Sequence, residues 1–243
     1  MTRALAAAVV ITIVAGCASG DSQSPDAPLT IFAAASLRDV LPEIDPLPDY
    51  VFAGSNQLAA QLRDGARADV FVSANERLAT ELAEAGVVGR PRMVASNLLV
   101  VVVPRSSSRV RTLDDLREPG IKLVLGANGV PAGDYARAAL PVAGLESALD
   151  NVVSLEDDVS GVVAKVALGE ADAGVVYATD ARLAHDRVRA VPLPASAQPR
   201  IAYVAAAVTH RSKVARARTY LDLLVGERGR RAFEAAGFLP PPP

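Results

Sequence analysis

Short β-like runs alternate with helical patterns along most of this chain, and the alternation limits the folds that it can adopt. Runs rich in Val, Ile, Leu and Phe pass repeatedly into segments in which apolar residues have helical spacing. Such alternation is typical of β-α-β units, where a helix carries the chain back so that the next strand lies parallel to the last. We therefore predict an α/β fold in which helices flank mainly parallel sheets. The predicted strands are 29–35, 50–54, 68–74, 97–104, 122–127, 151–156, 172–178 and 201–210. The predicted helices are 36–44, 55–65, 75–86, 130–140, 158–171 and 179–186, followed by two closing helices within 212–238 that are separated near Gly226.

The alternation runs through two cycles, which indicates two lobes with a ligand cleft between them. A chain of 243 residues is long enough for two lobes of about 100 residues each. We expect lobe 1 to contain residues 29–103 and 206–243, because the last strand and helices return to the first cycle. Lobe 2 is expected to contain residues 104–205, with hinge strands near 97–104 and 199–206.

The first 28 residues are predicted to be a secretion signal and a tether. Residues 1–16 carry one early Arg3 and a twelve-residue apolar stretch, which is shorter than the roughly 20 residues that span a bilayer and suits a signal peptide. The sequence VAGC (14–17) resembles a bacterial lipobox, which implies that Cys17 is lipidated and becomes the first residue of the mature chain. The alternative is an ordinary signal peptide that contains a cysteine. Residues 17–28 are rich in Ser, Pro and Asp and are expected to form a flexible tether.

Composition argues against several other classes of function. Aromatic residues are only 4% of the chain and its net charge is −2, so neither a stacking platform nor a basic surface for nucleic acid is expected. The chain has two histidines, His185 and His210, both predicted to be exposed, and a single cysteine, which do not make a metal cluster. It lacks a G-x-S-x-G elbow, which argues against an α/β hydrolase. We expect no enzyme activity and no cofactor.

Serine follows small residues at two predicted strand-to-helix junctions. Ser36 comes after two alanines, and Ser55 comes after Ala and Gly. Ligands of open α/β sheets bind at the carboxyl ends of strands, and a helix N-terminus offers unpaired N–H groups and a partial positive charge. Residues 130–133 and 158–161 repeat this arrangement in the second cycle. A serine there can simply cap its helix, and it can also bind an anion without Lys or Arg.

Five segments of the chain together carry a resemblance to a known protein family. They are LTIFAAASLRDVLPEI, FAGSNQLAAQLRDGARADVFVSAN, GVPAGDYARAAL, DVSGVVAKVALGEADAGVVYATDA and FEAAGFLP, and they cover most of residues 29–240. In this order they resemble the periplasmic molybdate-binding proteins of ABC transporters. The resemblance implies a two-lobed type II periplasmic-binding-protein fold and a bound molybdate or tungstate oxyanion. It also implies a ligand set: the hydroxyls of Ser36, Ser55 and Tyr177 and the backbone N–H groups of Ala132 and Val159.

The resemblance further implies the partners and the location of the protein. We expect a monomer that delivers the oxyanion to the permease of an ABC transporter, touches the membrane through its lipid anchor only and binds no nucleic acid. It would be secreted and held at the outer face of the cytoplasmic membrane. Sulfate or another tetrahedral oxyanion is the alternative ligand, because neutral donors separate such anions only by the size of the cavity. A secreted hydrolase is a more distant alternative.

Two features of the sequence need explanation within this resemblance. Residues 36–50 are shorter than the usual helix and loop of relatives and contain three prolines, so the helix there must be short. Asp157 and Asp158 adjoin the expected site, where a carboxylate would repel a dianion. We therefore expect both aspartates to face outward or to cap their helix.

Overall fold

The computed structural model of the protein describes residues 27–106 and 109–241. The predicted signal peptide and nearly all of the predicted tether, including Cys17, lie outside the described residues. The strands are β1 (Thr30–Ala34), β2 (Asp49–Ala53), β3 (Val70–Ser73), β4 (Arg92–Ser96), β5 (Leu99–Pro104), β6 (Leu123–Gly126), β7 (Val152–Glu156), β8 (Ala173–Tyr177), β9 (Val188–Pro192) and β10 (Ala202–Ala207). The α-helices are α1 (Val40–Ile44), α2 (Ser55–Arg63), α3 (Glu76–Glu84), α4 (Pro131–Val142), α5 (Val159–Ala167), α6 (Ala178–Leu183), α7 (Val214–Val225) and α8 (Glu227–Ala236).

The strands form two five-stranded sheets of the same design. In the first sheet the order is β2-β1-β3-β10-β4, and in the second it is β7-β6-β8-β5-β9. The interior strands β1 and β6 each pair in parallel with both neighbours, whereas β10 and β5 each pair antiparallel with both of theirs. Four strands of each sheet therefore run in one direction and one strand runs against them. The predicted α/β fold with mainly parallel sheets is confirmed, and both sheets are mixed.

The lobe boundaries in the structure differ by a few residues from the predicted ones, because two strands belong to the other sheet. Strand β5 belongs to the second sheet and β10 to the first, so residues 99–103 lie in lobe 2 and residues 202–205 in lobe 1. The boundaries predicted after residues 103 and 205 were therefore misplaced by a few residues. Both strands are buried along their whole length, so their sequences carry no alternation that indicates which sheet they complete. The chain crosses between the lobes at residues 97–98 and again between 193 and 201.

The sequence analysis missed two strands, β4 and β9. Each is an edge strand of its sheet, with a neighbouring strand on one side only in the described chain. Their sequences, RMVAS and VRAVP, mix arginine with apolar residues, and β9 ends in Pro192. Edge strands need neither a continuous apolar run nor a full set of backbone donors, so their sequence signal is weak.

The connection between β1 and β2 is short, as its prolines predict. The predicted helix 36–44 is reduced to a 3₁₀ turn at Ala35–Leu37 and the single-turn helix α1. Tyr50 holds this connection against the sheet, because its hydroxyl lies 3.1 Å from the carbonyl oxygen of Leu41 and 2.6 Å from that of Asp45. Among the described helices, none combines the length and the apolar character that crossing a membrane requires.

Candidate functional site

One cavity between the two lobes brings together all five residues of the implied ligand set. Ser36 and Ser55 reach it from lobe 1, and Ala132, Val159 and Tyr177 reach it from lobe 2. Its volume, as the space open to the centre of a water molecule, is about 20 Å³. The other lining residues are small or apolar, except for Asp158. Within residues 27–106 and 109–241, no Lys, Arg or His side chain lines this cavity.

The five residues stand at strand-to-helix junctions, where the fold turns backbone N–H groups toward the cleft. Ser36 lies in the 3₁₀ turn after β1, and Ser55 is the first residue of α2. Ala132 is the second residue of α4, and Val159 is the first residue of α5. Tyr177 ends β8 and directly precedes α6. The first turn of a helix has N–H groups without intrahelical acceptors, so these junctions supply donors from both lobes.

The serine side chains do not cap their helices, which corrects one of the two roles considered from the sequence. The N-cap positions are Ala34 for the 3₁₀ turn and Gly54 for α2, and neither terminus has a side-chain cap among the described residues. The hydroxyl of Ser55 instead accepts a hydrogen bond from the backbone N–H of Ala74, at 3.1 Å. The hydroxyl of Ser36 lies 2.9 Å from that of Tyr203. Both hydroxyls are thus held by tertiary contacts rather than by their own helices.

The two aspartates next to the cavity adopt the arrangements expected of them. The Asp158 carboxylate caps α5 by accepting a hydrogen bond from the Gly161 N–H at 3.0 Å. Asp157 is exposed. The negative charge of Asp158 is therefore engaged with the positive end of a helix, although the residue still lines the cavity.

The hydroxyl of Tyr177 is buried without a partner. The side chain is 1% exposed, and its oxygen has no hydrogen-bond partner among the residues that the structure describes. Burial raises the pKa of the Tyr177 phenol well above its usual range, so the group keeps its proton. Leaving a buried hydroxyl unpaired costs about 1–3 kcal/mol. Since this hydroxyl belongs to a residue that lines the cavity, an acceptor bound there would remove that cost.

The buried side chain of Asp180 contacts the backbone of Tyr177. Asp180 accepts a hydrogen bond from the backbone N–H of Tyr177 at 3.2 Å. Burial, together with the charges of Asp158 and Asp39, raises the pKa of Asp180 to about 7, against the lowering effect of that hydrogen bond. The sequence analysis did not single out Asp180, because an aspartate in the first turn of a helix is an ordinary helix-stabilising residue.

The two lobes touch at the rim of the cavity. A Cβ atom added to Gly54 of lobe 1 would lie 2.5 Å from the carbonyl oxygen of Asp157 of lobe 2, closer than real Cβ contacts. A Cβ atom added to Gly129 of lobe 2 would lie 3.8 Å from the side-chain amide nitrogen of Asn56 in lobe 1. The structure is therefore a closed form, in which the absence of a side chain at Gly54 allows the close approach.

The remaining candidate residues lie away from this site. His185 and His210 are both exposed, as predicted. Tyr203, which the sequence analysis passed over, is fully buried in β10 and contacts Ser36. A single tyrosine in the strand IAYVAAAV is a weak signal, because aromatic residues are ordinary members of buried strands.

Comparisons with known proteins agree with this architecture. Residues 29–239 match the family described as bacterial extracellular solute-binding protein. The chain is 32% identical over 259 residues to the molybdate-binding protein ModA of Mycobacterium tuberculosis, with 99% of this chain and 98% of that protein covered. It is 31% identical over 252 residues to the putative ABC transporter substrate-binding lipoprotein YvgL of Bacillus subtilis, with 96% of each covered.

A solved structure is similar over most of the chain. The periplasmic molybdate-binding protein of Azotobacter vinelandii superposes with a TM-score of 0.78 at 21% identity, over 88% of this chain and 100% of that one. This similarity and the two five-stranded sheets confirm the predicted two-lobed type II periplasmic-binding-protein fold. With the family matched over nearly all of the described residues, the chain belongs to the bacterial extracellular solute-binding protein family.

Proposed function

We propose that this protein captures molybdate, and tungstate with it, outside the cytoplasm and delivers the anion to the permease of an ABC importer. The observation that carries the proposal is the Tyr177 hydroxyl, which is buried without a partner in the described chain and belongs to a cavity also lined by Ser36 and Ser55. The names of the relatives in Mycobacterium tuberculosis and Azotobacter vinelandii support the choice of molybdate.

The polar groups available in the cavity favour an anion that carries no proton. Backbone N–H groups of the helix N-termini can only donate, and the Ser55 oxygen already accepts a hydrogen bond from Ala74. A protonated oxyanion such as phosphate needs an acceptor for its own proton, and the one carboxylate among the described lining residues, Asp158, is oriented by its hydrogen bond from the Gly161 N–H at the start of α5. The fully deprotonated dianions molybdate, tungstate and sulfate suit this set of donors better.

The size of the cavity suits a single tetrahedral oxyanion. A sphere with the cavity volume of about 20 Å³ has a radius of about 1.7 Å, and adding the water radius of about 1.4 Å gives an occupant of about 3 Å radius. One central atom with four oxygens falls into this size class, whereas a nucleotide or a sugar does not. Sulfate has the same charge and shape as molybdate but shorter bonds, so only the fit to the cavity can separate the two anions.

A binding role accounts for the site better than catalysis does. Nucleophilic serines need a general base within hydrogen-bond reach, and the hydroxyls of Ser36 and Ser55 contact a tyrosine and a backbone N–H instead. Both histidines of the chain are exposed. The proposed protein is therefore a receptor without enzyme activity, and it needs no cofactor.

The proposed location is the outer face of the cytoplasmic membrane. Cys17 would carry lipid, and the tether 17–28 would join the anchor to the folded lobes. The relative in Bacillus subtilis is named as a lipoprotein, which supports this assignment. We propose that the protein is a monomer, that it touches the membrane only through this anchor and that it binds no nucleic acid.

Intact-mass analysis of the native protein should show a lipid adduct on a chain that begins at Cys17; an unmodified mature chain would contradict the proposal.

Titration calorimetry of the purified protein with four anions tests the proposed ligand. Molybdate and tungstate should each bind at one site per chain, sulfate should bind more weakly, and phosphate should give no heat of binding at the same concentrations. Tighter binding of sulfate than of molybdate would assign the protein to the alternative ligand. Saturable binding of phosphate would contradict the proposal that the site favours anions without a proton.

A further inference from the structure

We propose that Asn97 and Tyr203 set the direction of hydrogen bonding at Ser36, so that the Ser36 hydroxyl directs its proton to the bound anion. Neither residue lines the cavity, so both would act as positioning residues. This inference rests on the proposed function, because it assigns a role to Ser36 in binding the oxyanion.

The orientation of the Asn97 amide is determined by its neighbours. Its oxygen Oδ1 accepts a hydrogen bond from the Leu98 N–H at 2.9 Å, and its nitrogen Nδ2 donates to the Thr179 hydroxyl at 2.9 Å. Exchanging the two atoms would place an amide N–H group against the N–H of Leu98, which is repulsive. The amide nitrogen, which has two protons and can only donate, therefore faces Thr179 and its neighbours.

The Tyr203 hydroxyl accepts a hydrogen bond from Asn97 and donates one to Ser36. Its side chain is fully buried, and its hydroxyl contacts the Asn97 side chain and the Ser36 hydroxyl, the latter at 2.9 Å. Because the Asn97 nitrogen only donates, the Tyr203 oxygen is the acceptor in that pair. The Tyr203 proton then has the Ser36 oxygen as its acceptor. Burial raises the pKa of Tyr203 well above its usual range, so this proton is retained.

These contacts determine the direction in which the Ser36 hydroxyl donates its hydrogen bond. A serine has one proton, and with its oxygen accepting from Tyr203, that proton is free for the cavity that the residue lines. Ser55 is polarised in the same way by the Ala74 N–H, and Tyr177 has no competing partner in the described chain. All three hydroxyls are therefore available as donors. Such a site favours an anion without a proton of its own.

These hydrogen bonds from Asn97 through Tyr203 to Ser36, called the relay below, also lie where the chain crosses from one lobe to the other. Asn97 lies in the segment where the chain passes from lobe 1 to lobe 2, Thr179 belongs to α6 of lobe 2, and Ser36 belongs to lobe 1. The donor polarity of Ser36 therefore depends on contacts that involve both lobes.

Tyr203→Phe tests the relay, because it removes one buried oxygen and preserves the shape of the ring. Losing one net hydrogen bond corresponds to about a two- to tenfold change in an equilibrium constant. We expect molybdate to bind Tyr203→Phe more weakly than the wild type by about that factor, as measured by calorimetry. Tyr220→Phe is the matched control: Tyr220 is also buried in lobe 1, but its hydroxyl contacts Tyr50 and not the cavity, so affinity should not change. Thermal melts of both variants establish that they are folded.

A double-mutant cycle separates the relay from a packing role of Tyr203. If Tyr203 acts through the Ser36 hydroxyl, Tyr203→Phe should cost no further affinity in a Ser36→Ala background. Equal losses in both backgrounds would overturn the relay. The ratio of molybdate to phosphate affinity should also fall in Tyr203→Phe, because the released Ser36 oxygen can accept a proton from phosphate. An unchanged ratio would likewise count against the relay.

The outcome distinguishes this inference from the proposed function. If wild-type protein binds molybdate and Ser36→Ala weakens that binding while Tyr203→Phe does not, the proposed function stands and the relay fails. If wild-type protein does not bind molybdate, or Ser36→Ala binds it as tightly as the wild type, the assigned ligand or the assigned site fails first.

Discussion

At the scale of single residues, the site depends on which hydrogen-bond acceptor is available to each of its three hydroxyl groups. The Ser55 oxygen accepts a hydrogen bond from the Ala74 N–H, the Ser36 hydroxyl contacts that of Tyr203, and the Tyr177 hydroxyl has no partner in the described chain. A cavity with such hydroxyls, and with no cationic side chain among its described lining residues, can bind an anion through hydrogen bonds and helix N-termini. The strength of binding therefore depends on a few individual oxygens.

Tyr177→Phe should separate affinity from stability. The hydroxyl is buried and unpaired, so removing it should leave the free energy of unfolding unchanged or slightly higher. A hydrogen bond to a charged partner is worth about 1.5–3 kcal/mol, so molybdate should bind about ten- to a hundredfold more weakly in calorimetry. Tyr50→Phe should show the reverse pattern, with about 1 kcal/mol less stability and unchanged affinity, because Tyr50 ties the β1–β2 connection. Wild-type affinity in Tyr177→Phe would remove Tyr177 from the ligand set.

Molybdate affinity should decrease as the pH rises from about 6 to 8. From the sequence we would expect a flat profile, because no group of the implied ligand set titrates in this range, but the pKa of the buried Asp180 is about 7. Above this pH the carboxylate is ionised behind Tyr177 and repels the dianion. The groups facing it are Asp158, Asp39 and the Tyr177 N–H. Since one proton is involved, the affinity can fall by at most about tenfold per pH unit. Asp180→Asn should abolish the trend, and a trend that persists in this variant would point to another group.

The same group makes a second, independent prediction for the unliganded protein. The pKa of Asp180 is raised on folding, so the folded state binds this proton more tightly than the unfolded state does. Its contribution to stability is therefore complete below the unfolded pKa of about 4 and is lost as the pH rises to about 7. Chemical denaturation of wild type and Asp180→Asn at pH 5 and pH 8 should show a larger decrease in the wild type. An equal decrease in both proteins would contradict this assignment.

At the scale of elements, the helix N-termini that face the cavity differ in how they are capped. Within the described ranges, α2 and α4 have no side-chain cap, whereas α5 is capped by Asp158. An uncapped terminus keeps its N–H groups and partial positive charge available to a ligand. The capped terminus gains stability but places a carboxylate beside the anion. Asp158 therefore stabilises α5 as its cap and, at the same time, adds a negative charge to the cavity lining.

Asp158→Asn should strengthen molybdate binding without destabilising the protein. Asparagine caps a helix about as well as aspartate, so the contact with the Gly161 N–H can be kept while the negative charge is removed. Asp158→Ala removes both the charge and the cap, so it should also cost about 1 kcal/mol of stability. Calorimetry and thermal melts of the two variants separate the effects. Weaker binding in Asp158→Asn would show that the carboxylate holds the α5 terminus in its binding position.

At the scale of the whole molecule, the site exists only where the two lobes meet. Ser36 and Ser55 come from lobe 1 and the other three residues of the ligand set come from lobe 2, so neither lobe alone holds a complete set. Two crossings of the chain, at residues 97–98 and 193–201, join the lobes. Proteins of this architecture can close by hinge motion at such crossings, with the ligand stabilising the closed form.

Molybdate should make the protein more compact. The closed form has Gly54 against the Asp157 carbonyl group, a contact that an open cleft would lose. In small-angle scattering, the radius of gyration should decrease when molybdate is added at saturating concentration, and sulfate at a concentration too low to bind should have no effect. An unchanged scattering profile at saturation would mean that the lobes do not open in the absence of ligand.

Local patterns in the sequence determined the fold class and the kind of site. Alternating strand and helix periods specify β-α-β units, and the prolines of residues 36–50 impose a short connection. The placement of Ser36 and Ser55 after small residues indicated where an anion could approach the backbone. These features depend on neighbours within a few residues, and such information is present in the sequence itself.

The tertiary structure alone decided which sheet each connecting strand completes and which way the hydroxyls point. Strands β5 and β10 are buried throughout, so only their pairing with distant strands assigns them to a lobe. Ser36 and Tyr203 are 167 residues apart, and no local pattern links them. The sequence allows both serines to cap their helices, yet the Ser55 oxygen accepts from Ala74 and the Ser36 hydroxyl contacts Tyr203, groups that only the folded chain brings near. Sheet membership and proton direction depend on contacts between segments far apart in the chain, and those contacts form only when the lobes are assembled.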